Sequence, residues 1–295
     1  MVRTALTAQL IYAVGYNQEI NPRKPIGDGL EAIRQQQSFI LINDITTFDL
    51  VGLCLVGLIA GGINTLAGGG SNLSIPMLMI MGLPADIANA TNRVAVLMQC
   101  SVGVAGFDQN QMLDRPAVRP ILIPTLAGGA AGALTAAFLP NLYLKPIMLT
   151  TLLGMSLLIL LRPGVIAPPA NTPTLSPNEK LGAWWGLFAA GMYGGFVQAG
   201  VGFILLAALA GGLRYDLVRA NALKMVCTLA FTFVSVAIFI VFDLIEWVPG
   251  LILAGGNMVG AYLVVKIAVR SSQTTLKWAL FIMTLIAVGA VFTLG

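Results

Sequence analysis

Histidine is absent from the 295 residues, cysteine occurs three times, and charged residues make up only 9% of the chain. Each shortage removes a class of function. The apolar segments hold no imidazole, no cysteine beside a base and no pair of carboxylates, so there is no candidate nucleophile or general base, and catalysis is not expected. Cys54, Cys100 and Cys227 lie far apart in apolar runs without a CxxC spacing. They read as small buried side chains, with no disulfide framework, metal site or cofactor expected. A net charge of +4 is too small to hold nucleic acid.

Apolar sequence is in excess. Hydrophobic residues reach 57% and the mean hydropathy is +0.88, values of a helical protein that crosses a lipid bilayer several times. The apolar segments cover 50–66, 71–82, 87–107, 117–138 and 142–162, then 181–198, 202–212, 217–242, 247–265 and 275–294. Five fall on each side of a proline-rich linker. The expected organisation is therefore a polar and amphipathic extension at 1–47, a first membrane repeat at 48–164, the linker at 165–180 and a second repeat at 181–295. Within the extension, residues 5–16 are too short to span, and 30–42 can lie as an amphipathic helix on the membrane surface or against a partner chain.

The second segment of each half is only about eleven or twelve residues, near 17 Å as a helix against a hydrocarbon core of roughly 30 Å. It can reach the midplane but not cross. Each half is thus expected to open with a broken or re-entrant helical hairpin and to continue with three transmembrane helices, giving an all-α polytopic fold. Glycines mark the breaks. Setting Gly61–Ala105 against Gly191–Ser235 aligns Gly70 with Gly200, Leu83 with Leu213, Asp86 with Asp216 and Ala90 with Ala220 at an offset of about 130 residues. Three crossings per half are odd in number, so the second repeat is expected to be inverted. Arg115, Arg119, Arg162, Lys180, Arg214, Arg219, Lys266, Arg270 and Lys277 all fall on one expected side, which the positive-inside rule makes cytoplasmic. Arg3, Arg23, Lys24 and Arg34 of the extension run against that orientation.

Candidate binding residues cluster at the breaks and on the helix that follows each. Arg93 and Lys224 fall within one residue of each other on the repeat alignment, about seven residues into their helices, with no acidic residue beyond the helix start to neutralise them. An anionic ligand or the backbone of the broken helix is the natural counterpart, and a snorkelling cation, or one that bonds carbonyls to lock two helices, is the alternative. Asn92 and Gln99 lie beside Arg93 at helical spacing, and Asn221, Thr228 and Ser235 form a stripe with Lys224. Such stripes line paths and also bind helices together. Gly69, Gly70 and Gly200 free the backbone at the breaks, with Ser71 as an expected helix cap and Asn72 and Gln198 as adjacent donors. Close helix packing serves equally for these glycines. For Gly128, Gly132, Gly255, Gly256 and Gly260, packing is the expected role.

Two stretches, AGGGSNLSIPMLMIMGLPADIANATNR and GMYGGFVQAGVGFILLAALAGGLRYDLVRANALK, make the chain resemble the sulfite exporter TauE/SafE family of membrane anion transporters. The likeness covers roughly residues 49–294 and leaves the extension outside. It implies an integral protein of the bacterial inner membrane that carries sulfite, an organosulfonate such as sulfoacetate, or a related small anion. A homodimer is compatible with it. The residues fit an alternating-access carrier with its site between the repeats, and they fit an anion channel that uses the same cations as a filter. No buried carboxylate or histidine relay marks proton coupling, so uniport, exchange and a carrier that uses the anion's own protonation equilibrium all remain open.

Overall fold

The apolar segments fold as helices that end where glycine and proline interrupt them. A computed structural model describes residues 47–161, 173–177 and 181–272, with single positions at 275, 278 and 282. The expected surface helix at 30–42 and nearly all of the last apolar segment lie outside the described residues. In the first half, α1 spans Thr47–Leu66, α2 Ser71–Ile80, α3 Ala85–Gln109, α4 Arg115–Phe138 and α5 Asn141–Leu161. In the second, α6 spans Leu181–Phe196, α7 Val201–Leu206, α8 Leu217–Val241 and α9 Trp247–Arg270. The end of α7 runs on as a π-helical stretch, Ala207–Gly212.

Helix lengths repeat between the halves: α3 and α8 have 25 residues each, α4 and α9 have 24. Among the described residues no strand occurs, and α1, α4, α8 and α9 are long and apolar enough to cross a membrane. Helix α3 matches them in length, about 37 Å at 1.5 Å per residue, but carries more polar side chains. The two short helices α2 and α7 follow the glycine interruptions as expected.

Helices α3 and α8 pack on each other at the centre, with α9 and α1 against α3 and with α4 and α6 against α8. The first helix of each hairpin therefore lies mainly on the other half: α1 crosses α9, and α6 crosses α4. Glycines permit both crossings. A Cβ on Gly57, Gly61, Gly256 or Gly260, or on Gly128, Gly132, Gly191 or Gly195, would come within 2.0 to 2.6 Å of a carbonyl oxygen of the facing helix. Gly255 differs from its expected packing role, because nothing lies within 4 Å of a Cβ placed there.

The C-terminal ends of α2 and of the π-helical stretch lie near opposite ends of α3. Near the first, Thr91 accepts from the Glu246 amide in the α8–α9 turn at 3.0 Å, and Phe138 meets Phe242 edge to face at 5.0 Å. Near the second, Tyr215 lies beside Asp114 of the α3–α4 turn and Thr174 of the linker, and burial pushes its phenol up to about 12. The linker is tied there by Leu175 N donating to Leu213 O at 3.0 Å.

Candidate functional site

Two interruptions of different construction meet at the centre. In the first, Ala67 N and Gly68 N both return to Ile63 O, and Gly68 turns the chain with φ at +86°. Ser71 opens α2 as its first residue without capping it through its side chain. Its hydroxyl instead accepts from Asn92 Nδ2 at 3.1 Å, while Ser74 Oγ donates to Asn92 Oδ1 at 2.6 Å. Asn72 is buried in the same turn. Gly70 has a packing role, since a Cβ there would lie 2.1 Å from Ala60 O, whereas a Cβ on Gly69 would meet side chains, the Phe203 ring first at 3.1 Å.

In the second interruption Gln198 and Gly200 both take left-handed backbone, with φ of +67° and +72°. Gln198 Nε2 donates to Thr232 Oγ1 at 3.3 Å, and its Oε1 is buried without a partner. A hydroxyl both donates and accepts, so turning the carboxamide over keeps the Thr232 bond and exposes an N–H donor in place of the oxygen.

The two cations are fully enclosed, Arg93 at 0% exposure and Lys224 at 1%. Arg93 donates to Gly194 O, to Gly195 O at 2.9 Å and to Asn89 Oδ1 at 3.4 Å, and its Nε has no partner. Asn89 in turn donates to Phe196 O at 2.9 Å, and the guanidinium carbon lies 5.8 Å from the centre of the Phe239 ring. Lys224 Nζ donates to Thr65 O and Asn221 Oδ1, both at 2.7 Å, and to Asn64 O at 3.1 Å. An ammonium has three hydrogens, and these three acceptors match them.

The acceptors explain why cations sit here. The last carbonyls of a helix lack intrahelical partners and form the negative end of its dipole. Arg93, from the first half, holds the end of α6, and Lys224, from the second, holds the end of α1. At the repeat offset Gly194 and Gly195 stand opposite Asn64 and Thr65, so the bonding is reciprocal. The two cations share no hydrogen-bond partner. Ion pairs among the described residues join Arg115 to Asp108 at 2.9 Å and Arg219 to Asp216 at 3.6 Å, neither involving a buried cation.

Gln99 braces the Lys224 acceptors. Its Oε1 accepts from Asn64 Nδ2 and Asn257 Nδ2, both at 3.2 Å, and its Nε2 reaches Thr65 Oγ1 at 3.5 Å. Asn221 also donates to Leu217 O at 3.0 Å, and Thr228 is buried one turn beyond Lys224. Asn64, Thr65 and Asn257 were not singled out from the sequence. The signal was present, since each is a polar residue inside or beside an apolar segment. Among the described residues no group of acidic, cysteine or histidine side chains could hold a metal.

Comparison with known proteins identifies the family. A family model described as sulfite exporter TauE/SafE matches residues 53–291. A "Probable membrane transporter protein ORF9" of Sinorhizobium is 25% identical over 252 residues, covering 83% of this chain and 92% of that protein. A "Probable membrane transporter protein" of Haemophilus influenzae is 26% identical over 239 residues, covering 79% and 90%. The "Probable membrane transporter protein YfcA" of Escherichia coli K12 is 23% identical over 235 residues, covering 76% and 82%. No solved structure matches the chain. The matched span takes in both interrupted hairpins and both buried cations, and by it this integral membrane protein, a transporter, belongs to the sulfite exporter TauE/SafE family.

Proposed function

We propose that the chain is a secondary transporter of small sulfur-containing anions, sulfite or an organosulfonate such as sulfoacetate, working in the bacterial inner membrane by alternating access. The observation that carries this reading is the enclosure of Arg93 and Lys224 without a carboxylate paired to either among the described residues. An ionised side chain at the bilayer centre costs about 2.5 to 3.5 kcal/mol on insertion scales. Helix-end carbonyls offset part of that cost but leave the positive charge in place. A bound anion supplies the charge that is missing.

Sulfite and sulfonate oxygens only accept hydrogen bonds, so the site must offer donors. Arg93 Nε is one, and Gln198 Nε2 becomes another when its amide is turned over. The substrate class comes from the family's name, while the relatives' names go no further than membrane transporter. Two features favour inverted repeats with the site between them: the ends of α2 and of the π-helical stretch near opposite ends of α3, and the reciprocal hold of each cation on the other half's hairpin. In this reading the halves move apart about those two contacts, which opens the site to one side at a time.

The test is counterflow in proteoliposomes. Unlabelled sulfite or sulfoacetate inside should accelerate entry of the labelled anion, and Arg93→Gln and Lys224→Gln should abolish the effect. Rapid flux without counterflow would identify a channel instead. Acceleration by carboxylates alone would overturn the sulfur-anion assignment.

A further inference from the structure

Each buried cation occupies a cradle of the same composition. Lys224 lies among Asn64 O, Thr65 O and Asn221 Oδ1, while Arg93 lies among Gly194 O, Gly195 O and Asn89 Oδ1. In both, two main-chain oxygens come from the interrupted hairpin of one half, and one carboxamide oxygen comes from the helix of the other half that bears the cation. All six ligand atoms are uncharged oxygens. Neutral carbonyls at the C-terminal end of a broken helix are the ligands with which membrane carriers hold diffusible monovalent cations.

We propose that the cradle formed by Asn64 O, Thr65 O and Asn221 Oδ1 is a site for a small monovalent cation, kept filled by the chain's own Lys224 ammonium. Transport therefore proceeds without a coupling sodium or potassium ion. The second statement rests on the transport reading above, and the first does not. Occupancy by the side chain is complete in the sense that matters for competition, because the ammonium has three hydrogens and its nitrogen has three oxygen acceptors at 2.7 to 3.1 Å. A diffusible cation would have to displace a tethered one or share its ligands at close range. The positive charge that balances the anion thus belongs to the protein and stays with it through the cycle. Gln99 fixes the cradle from behind by bonding the side chains of both Asn64 and Thr65.

Removing the tether should turn the cradle into an open site. Lys224→Ala deletes the equivalent of n-propylammonium, so that ion is the matched probe. Thermal unfolding of the purified full chain would be followed in n-propylammonium, sodium, potassium or choline chloride at equal ionic strength, with 1-propanol as the uncharged control. Lys224→Ala should gain about 3 °C or more in n-propylammonium over choline, a shift expected near ten times the dissociation constant, and nothing in 1-propanol. The parent chain should show no sodium- or potassium-specific gain over choline. A cation-specific gain in the parent, or none in Lys224→Ala, would overturn the filled-cradle assignment.

The parent alone also tests the proposal if Lys224→Ala does not fold. Counterflow with choline as the sole cation on both sides should stay within about twofold of its rate in sodium or potassium. A loss of tenfold or more in choline would refute cation independence. Absence of counterflow in every salt would refute the transport reading and leave the thermal-shift result to decide the cradle.

Discussion

Gly68 and Gly202 meet backbone to backbone, so that a Cβ built on Gly68 would lie 2.1 Å from the Cα of Gly202. This contact joins the two hairpin interruptions directly, and neither glycine can gain a methyl group without one chain moving. Gly68 has a second constraint in its left-handed φ. Gly202→Ala should therefore destabilise the protein by about 1 to 3 kcal/mol, the usual range for overpacking, and Gly68→Ala by at least as much. Gly255→Ala, with open space around its Cβ, should stay within about 0.5 kcal/mol. Thermal unfolding in detergent compares the three. Equal tolerance at 202 and 255 would mean that the interruptions are not in contact.

Arg93 and Lys224 hold separate carbonyl sets, which separates their structural and binding effects. Arg93→Gln and Lys224→Gln should each cost about 1 to 3 kcal/mol by leaving buried acceptors poorly paired. With no shared hydrogen-bond partner, these stability losses should add within about 0.5 kcal/mol. Anion binding should fall by roughly 5- to 150-fold in each single variant and depart from additivity in the double variant if one anion feels both charges. Titration calorimetry with sulfite measures the second quantity. Additive binding losses would assign the cations to separate sites.

Gln99→Leu removes the acceptor shared by Asn64 and Asn257 and leaves two buried amides without it. The expected loss is about 1 to 3 kcal/mol of stability. Ser101→Ala, on an exposed turn of the same helix, deletes only a bond to Leu97 O at 2.9 Å and should change little. Similar unfolding temperatures for the two variants would count against the brace.

Inversion of the repeats can be read from cysteine accessibility. Met81 and Gly211 are equivalent, at the ends of α2 and of the π-helical stretch, at an offset of about 130 residues, and a Cβ at Gly211 meets nothing within 4 Å. Ala85 and Tyr215 are unsuitable positions because both are buried. In a background lacking Cys54, which is exposed, Met81→Cys and Gly211→Cys should be labelled by an impermeant maleimide from opposite sides of the membrane. Labelling of both from one side would replace the inverted arrangement with a parallel one.

Local chemistry made much of this protein legible from its sequence. Hydropathy marks the helices, glycine and proline mark their ends, and the short second segment of each half emerges as α2 and α7 because such runs cannot cross the hydrocarbon. The lack of nearby acids already set Arg93 and Lys224 apart. What tertiary structure decided is where those charges point. Arg93 bonds carbonyls 101 and 102 positions away, and Lys224 carbonyls 160 and 159 positions away, pairings that no periodicity encodes. Packing also decided that Ser71 meets Asn92, that Gln99 gathers Asn64 and Asn257, and that Gly70 fits against α1 while Gly255 fits against nothing. Helix formation depends on neighbours within one turn, but the partner of a buried polar group is set by which helices cross and at what depth, and the glycine contacts fix that only once the whole bundle has closed.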